Sequence, residues 1–207
     1  MGLVIDCQIF PSIDFIKKGI ESKHIIIESY EYFKKSSFRN RYVIAGANGL
    51  INLTVPVAGG REQKKLITEV EIDNTLNWRT KHWRSIESSY NKAPFFDYYR
   101  EEIKSLIFLE EEKLFSFNIF ILNSVHKMLG VNTSVGFTKE YKKFYEDNTD
   151  LRNKLLPGKF QANQDNWQPK YAQVFQDRLG FQPNLSILDL LFCEGPNSSN
   201  LIERSIV

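Results

Sequence analysis

Apolar and polar positions divide the chain into a β-rich first third and a helical remainder. Leu3-Val-Ile5 is a short apolar run closed by Asp6 and Cys7, the pattern of a buried strand. Pro11 then opens a helix with Ile13, Ile16, Lys17 and Ile20 at helical spacing, weakened towards its end by Gly19. His24-Ile-Ile-Ile-Glu28 is a second strand. Strand, short helix and strand in about 25 residues make a minimal βαβ unit, which implies a parallel pair. Residues 42–57 read as a hairpin about Ala47-Asn48-Gly49, because Asn-Gly between β-rich runs is a strong hairpin signal, and Pro56 ends its second strand. The alternation from Ile67 to Ile72 predicts a half-exposed strand.

From Asn74 the period becomes helical, with Asn74 or Thr75 as cap. Trp78, His82, Ile86 and Tyr90 fall four apart on one face, Trp83 and Glu87 form the adjacent column, and Arg79, Lys81 and Arg84 flank them. Pro94 starts a helix over about 95–109. Glu110-Glu-Glu-Lys113 opens another, with Leu114, Phe117, Ile121, Leu122, Val125 and Leu129 on its apolar face and Gly130 as C-cap. Residues 131–172 are polar and lack a period, so a long irregular loop is expected. Order resumes at Tyr171, and Leu185–Phe192 is a short buried helix capped by Asn184 or Ser186. Gly195-Pro196 breaks it before a polar tail. The expected fold is a single α/β domain over 1–207, with a small mixed sheet from the N-terminal third packed by helices from the C-terminal two thirds.

Composition narrows the classes. A chain of 207 residues with 42% hydrophobic and 25% charged residues has the balance of a soluble globular protein. The 14% aromatic share is high, and aromatics both fill cores and line ligand pockets. A net charge of +2 gives little long-range steering and argues against a dedicated nucleic-acid binder. Such binding would have to use residues 34–41 and 79–84, and would be steeply salt-dependent. No apolar run approaches the ~20 residues of a membrane span, and no signal peptide is visible. Asp6 stands where a myristoylation site would want Ser or Thr. Free thiols at Cys7 and Cys193 and a cytoplasmic location are the resulting expectations.

No dinucleotide fingerprint, P-loop or nucleophile elbow is present, so no cofactor is specified. His24, His82 and His126 lack partners at metal-ligand spacing, and a zinc site from Cys7, Cys193 and one His is unsupported, so no metal site is expected. Cys7, His82 and Asp189 or Asn184 could form an acyl-transfer constellation in space, against a small buried thiol as the plainer outcome. Asp6 and Glu28 close the two parallel strands, where ligands collect in open sheets. Residues 30–41, dense in aromatics and cations, would suit a phosphate or carboxylate, or form a solvated basic loop. The Trp78–Tyr90 helix has two readings as well: a core helix with a hydrogen-bonded imidazole, or the wall of a polar or anionic pocket.

Three stretches combine into a specific pattern along nearly the whole chain. The first is Ser37-Phe-Arg-Asn-Arg-Tyr-Val-Ile with Ala47-Asn-Gly and Leu53-Thr-Val-Pro-Val. The second joins Ile72-Asp, Asn77-Trp, Lys81-His-Trp-Arg-Ser-Ile-Glu-Ser-Ser-Tyr and Ala93-Pro-Phe-Phe. The third runs from Asp150-Leu-Arg and Pro157 through Tyr171, Gln173-Val-Phe and Phe181 to Pro183-Asn-Leu-Ser-Ile-Leu-Asp-Leu-Leu-Phe and Glu194-Gly-Pro. In that order and spacing the stretches resemble the WbqC-like family, most closely its Bacteroidetes-type branch, and Arg39, Asn40, Lys81, His82, Glu87 and Asp189 match recurrent polar positions of that family. The family's opening His-Gln-Pro or Gln-Pro element is replaced by Asp6-Cys7-Gln8-Ile9-Phe10-Pro11, which has no His and one Pro.

The namesake lies among O-antigen synthesis genes, so the resemblance implies an enzyme of surface-polysaccharide precursor synthesis. Group transfer, such as acyl or aminoacyl transfer to a nucleotide-linked amino sugar, is the reaction class expected here, a step beyond what the resemblance itself implies. A nucleotide-sugar or other anionic small molecule would then be the ligand. Arg39, Asn40, Arg41 and Lys81 would bind it, the cations holding phosphate, and Trp78 or Trp83 would stack on base or sugar. His82 would be the general base, oriented by Glu87 or Asp6. The alternative is a non-catalytic binding or scaffold protein of the same pathway. A cleft joining Arg39, His82 and the strand ends would favour the enzyme; a buried, fully paired His82 without one would favour the scaffold.

Overall fold

β1 (Leu3–Ile5), α1 (Ile13–Ser22) and β2 (His24–Ile27) form the parallel βαβ unit that the first residues encode, in a computed structural model that describes residues 2–59, 64–157 and 169–206. Leu3 lies opposite Ile25 and Ile5 opposite Ile27. Ser12 caps α1 by accepting from the Phe15 N–H, and Lys23 ends it in the left-handed region. Gly19 lets the helix lie on β2, since a Cβ there would sit 2.6 Å from Ile25 Cδ1.

The hairpin is β3 (Arg41–Gly46) and β4 (Gly49–Thr54), joined by the two-residue turn Ala47-Asn48. It is a separate two-stranded antiparallel sheet. α2 (Trp78–Tyr90) packs on β3 and on α3 (Phe96–Ile107), and α4 (Leu114–Leu129) follows, ended by Gly130 at φ 65°. α5 (Gln176–Leu179) is a single turn, and α6 (Ile187–Glu194), capped by Ser186, is buried against α1, α3 and β3.

Three expectations change. First, the 131–172 segment is not uniformly irregular: it supplies β5 (Ser134–Phe137) and β6 (Thr149–Asp150). These complete a four-stranded, all-parallel sheet in the order β5-β2-β1-β6. Both strands are short and exist because β2 and β1 offer unpaired edges, which no local pattern reveals. Second, Ile67–Ile72 holds a 3₁₀ turn at Ile67–Glu69 and two isolated bridges, Val57–Ile72 and Glu71–Lys113. Ile67, Val70 and Ile72 are its buried residues, so the turn of the chain replaced the simple alternation. Third, the tail after Gly195-Pro196 folds as α7 (Ser198–Arg204), whose Ile202 is buried and which packs on α1. The helix of the Trp78–Tyr90 segment begins at Trp78 without a side-chain cap, while Asp73 instead closes a turn onto Thr75. Residues 158–168 of the expected 131–172 loop lie outside the described residues.

One hydrophobic cluster runs from Leu3 to Ile202, and a small one joins Phe38, Val43, Ala45 and Leu185. The α/β class and the helical cover of N-terminal strands are as the pattern predicts.

Candidate functional site

Because the four strands are parallel, their carboxyl ends share one edge of the sheet, and each is followed by a polar residue. Asp6 follows β1, Glu28 follows β2, Thr138 follows β5, and Arg152 and Asn153 come just after β6. These side chains meet. Glu28 is fully buried and its Oε1 accepts from Thr138 Oγ1 at 2.8 Å and the Tyr30 N–H at 3.0 Å. Its Oε2 accepts from Arg152 Nη1 at 2.8 Å and from the Tyr145 hydroxyl at 3.4 Å. Arg152 also forks onto Asp150, with Nε to Oδ1 at 3.0 Å and Nη2 to Oδ2 at 2.7 Å. Burial opposes ionisation of Asp150, yet the bonds from Arg152 hold its carboxyl below the usual range. The rings of Tyr141 and Tyr145 lie 5.1 and 4.7 Å from the Arg152 guanidinium carbon.

Arg39 is fully buried beside this cluster. Its Nε and Nη2 grip the two oxygens of Glu31 at 2.7 and 2.5 Å, and Nη2 also donates to Asn153 Oδ1 at 2.9 Å. The same Nη2 lies 3.5 Å from Asp6 Oδ1, which accepts from the Asn153 N–H at 2.6 Å. Asn153 reaches both partners from a left-handed backbone at φ 58°, a conformation Asn tolerates well. Burial raises the Glu31 pKa; Arg39 opposes the rise, while Asp6 and Glu28 add to it. Asn118 Nδ2 donates to the Arg39 carbonyl at 2.7 Å and lies 3.4 Å from Cys7 Sγ. Asp6 Oδ2, Arg39 Nη1, Gln8 Nε2 and Asn118 Oδ1 are buried without a hydrogen-bond partner.

A cavity of about 380 Å³ opens over this edge. Glu31, Arg152 and Asn153 give it polar groups, and Tyr30, Tyr32, Tyr141 and Leu66 give it an apolar wall. The three tyrosines are 44%, 63% and 58% exposed, and Lys34 adds an exposed cation.

His82 lies elsewhere. It is 4% exposed, packed at the edge of the Trp78 and Tyr42 rings, with Nδ1 3.0 Å from the Tyr42 hydroxyl and Nε2 3.3 Å from the Thr54 carbonyl. A carbonyl can only accept, so Nε2 carries the proton and Nδ1 accepts from Tyr42. No lone pair is left for a substrate, and burial pushes the imidazole pKa down to about 4. The expectation of His82 as general base is therefore corrected to a buried, fully paired core imidazole.

The other expected residues divide in the same way. Trp78 packs on His82 and Phe117, and Trp83 stacks on Phe96, so both tryptophans belong to the core rather than to a stacking platform. Glu87 sits 3.9 Å from Arg100 and Lys81 is exposed; neither contacts His82, Asp6 or Arg39. Asn40 Nδ2 donates to the Val55 carbonyl and Arg41 Nε to Thr54 Oγ1, both bracing the hairpin. Arg39 is committed to Glu31 and is no open phosphate ligand. Of the expected set, Asp6 and Arg39 come together at the strand ends, and Trp78 and His82 meet only in the core.

The Cys7, His82, Asp189 constellation does not assemble either. Cys7 meets Asn118, and burial pushes its thiol up to about 12. Asp189 accepts from Tyr90 at 2.8 Å, Tyr171 at 2.6 Å and Gln173 at 3.0 Å. Among the described residues no group of three or more His, Cys, Asp or Glu could hold a metal ion.

Sequence reasoning missed Glu31, Tyr141, Arg152 and Asn153. Two signals pointed to them: Glu31 lies within the aromatic, cationic 30–41 segment, and Asp150-Leu-Arg152 opens the third stretch of the family resemblance.

A parallel sheet with charged residues beyond its strand ends and a cavity above them defines an α/β domain with a candidate small-molecule site. The chain belongs to the WbqC-like protein family, whose model matches residues 7–164. It is also similar to uncharacterized protein Rv1507c of Mycobacterium tuberculosis, 29% identical over 205 residues with 86% of each chain covered. No solved structure matches. Among the described residues no helix is long and apolar enough to cross a membrane.

Proposed function

We propose that this protein binds a nucleotide-linked sugar in the cavity over the strand ends and acts on it in the cytoplasm during surface-polysaccharide, O-antigen-type, precursor synthesis. The reaction class is group transfer, such as acyl or aminoacyl transfer to the amine of the sugar. The observation that carries the reading is the cavity itself: tyrosine walls above buried charge, at the edge of a parallel sheet where ligands collect. Tyrosine faces suit a sugar or base, and Lys34 supplies a point charge for phosphate. Glu31 lines the cavity, and burial raises its pKa, so it is the acid–base group of this site. Arg39 and Asp6 orient it.

A thermal-shift titration with UDP-glucosamine, whose amine is free, tests the site. The parent should be stabilised by a few degrees, and Lys34→Ala and Tyr141→Leu should each lose at least half of that shift. Equal stabilisation of all three proteins would contradict the assignment. A second reading, non-catalytic binding in the same pathway, is favoured by one observation: Cys7 is held as a buried thiol, so no thiolate nucleophile stands at the site. Product formation from an acyl donor and an amino sugar, read by mass spectrometry, separates the two.

A further inference from the structure

The charges around the cavity do not cancel. Asp6, Glu28, Glu31 and Asp150 are joined through hydrogen bonds and ion pairs to two guanidiniums, Arg39 and Arg152. Four carboxylates face two guanidiniums in this largely buried cluster, with Lys154 also acting on Asp150, so carboxylates outnumber the cations paired with them, which is costly to desolvate. Both arginines are already engaged by carboxylates, although Arg39 Nη1 is buried without a partner and Arg152 lines the cavity. Arg152 spends Nε, Nη1 and Nη2 on Asp150 and Glu28, and Arg39 is fully buried behind Glu31. Lys34 is exposed on the cavity lining, outside the bonded cluster, and cannot neutralise the buried excess at close range.

The cavity lining thus presents the Glu31 carboxylate among tyrosine rings, beside an Arg152 already engaged by Asp150 and Glu28, with Asn153 next to it and Lys34 exposed. Glu31, 5% exposed at its side chain, lines the cavity, with both oxygens gripped by Arg39 yet each keeping a second lone pair. Tyr30, Tyr32 and Tyr141 stand around it, and aromatic faces attract cations. Asp6 Oδ2, fully buried without a partner, adds negative potential behind Glu31. Carboxylate plus ring faces is the chemistry that receives an ammonium group, and a bound cation would offset part of the excess.

We propose that the cavity selects ligands bearing a protonated primary amine, with Glu31 as acceptor of the ammonium and the tyrosine rings packed about it. This deepens the reading above and rests on the same cavity. It assigns the amine, rather than a phosphate, to the buried part of the site; a phosphate on the same ligand would lie outward at Lys34.

Amide NMR of the full chain titrated with glucosamine, N-acetylglucosamine and glucose 1-phosphate tests it. Glucosamine should bind at least tenfold more tightly than N-acetylglucosamine, with shifts at Tyr30, Glu31 and Tyr141. Its affinity should fall as pH rises through the pKa of the sugar amine, while that of N-acetylglucosamine stays level. In Glu31→Gln the preference should shrink to within threefold, and in Lys34→Ala it should persist. Since Glu31→Gln could unfold the cluster around Arg39, the pH series on the parent stands as an independent readout. Equal binding of the two sugars at the cavity, or a preference for glucose 1-phosphate, overturns amine selection while leaving the cavity as the site. Absence of shifts at the cavity with all three overturns both.

Discussion

Two buried polar regions of this molecule use similar residues to opposite ends. Around α2 and α6, His82 meets Tyr42 and Thr54, and Asp189 meets Tyr90, Tyr171 and Gln173. His82 and Asp189 have all their polar partners there and apolar side chains seal them, although the neighbouring Trp78 indole N–H is buried without a partner. At the carboxyl edge of the sheet, four carboxylates share two guanidiniums, several polar atoms lack partners, and a cavity adjoins. A satisfied network specifies a core, whereas an unbalanced one beside a cavity is a place for a ligand. Burial of an ionisable residue does not separate the two cases. A carboxylate-rich network beside an open cavity does.

The largest effect should come from breaking the strand-end network. Arg39→Met leaves Glu31 and Asp6 buried without their cation and should cost about 3–5 kcal/mol in urea unfolding. Asp189→Leu should follow at about 2–4 kcal/mol, since the buried Tyr90 and Tyr171 hydroxyls and the Gln173 amide lose their acceptor. If the regions differ as described, a soluble Asp189 variant keeps its ligand shift, and a variant of the Glu31 site loses it.

His82 gives an intermediate effect with a defined pH signature. Its folded pKa is about 4 against an ordinary 6.5, so the unfolded chain takes the proton first as pH falls. The neutral imidazole therefore contributes full stability above pH 6.5 and loses it towards pH 4, a change on the order of 3 kcal/mol. Glu31 and Asp189, raised by burial, act with the opposite sign. The clean measure is thus the stability gap between parent and His82→Gln, which should narrow as pH drops through that window. A gap independent of pH would mean that His82 is not held neutral. The smallest effect is Lys34→Ala: this exposed side chain should change stability by less than about 0.5 kcal/mol and act only on phosphate-bearing ligands.

Much of the fold was legible because it rests on local signals. The βαβ unit, the Asn-Gly hairpin and α4 with its glycine cap follow from period, turn chemistry and capping. β5 and β6 were hidden because Ser134–Phe137 and Thr149–Asp150 become strands only by pairing with β2 and β1. The site divides likewise. Asp6 and Glu28 were visible as strand-end carboxylates, but Arg152 reaches Glu28 across 124 positions of sequence, and no spacing rule carries that contact. His82 misled for the converse reason. Its aromatic neighbours at helical spacing fit a pocket wall and a core equally, and only the bonds to Tyr42 and Thr54 decide.

The central claim is that the ligand sits over the strand ends and that the Trp78–Tyr90 helix is architecture. Amide chemical-shift mapping with UDP-glucosamine tests it most directly. The account predicts shifts at Tyr30–Lys34, Tyr141 and Arg152–Asn153, with residues 78–90 unmoved. Shifts centred on His82, Trp83 and Glu87, with the strand ends silent, would contradict it.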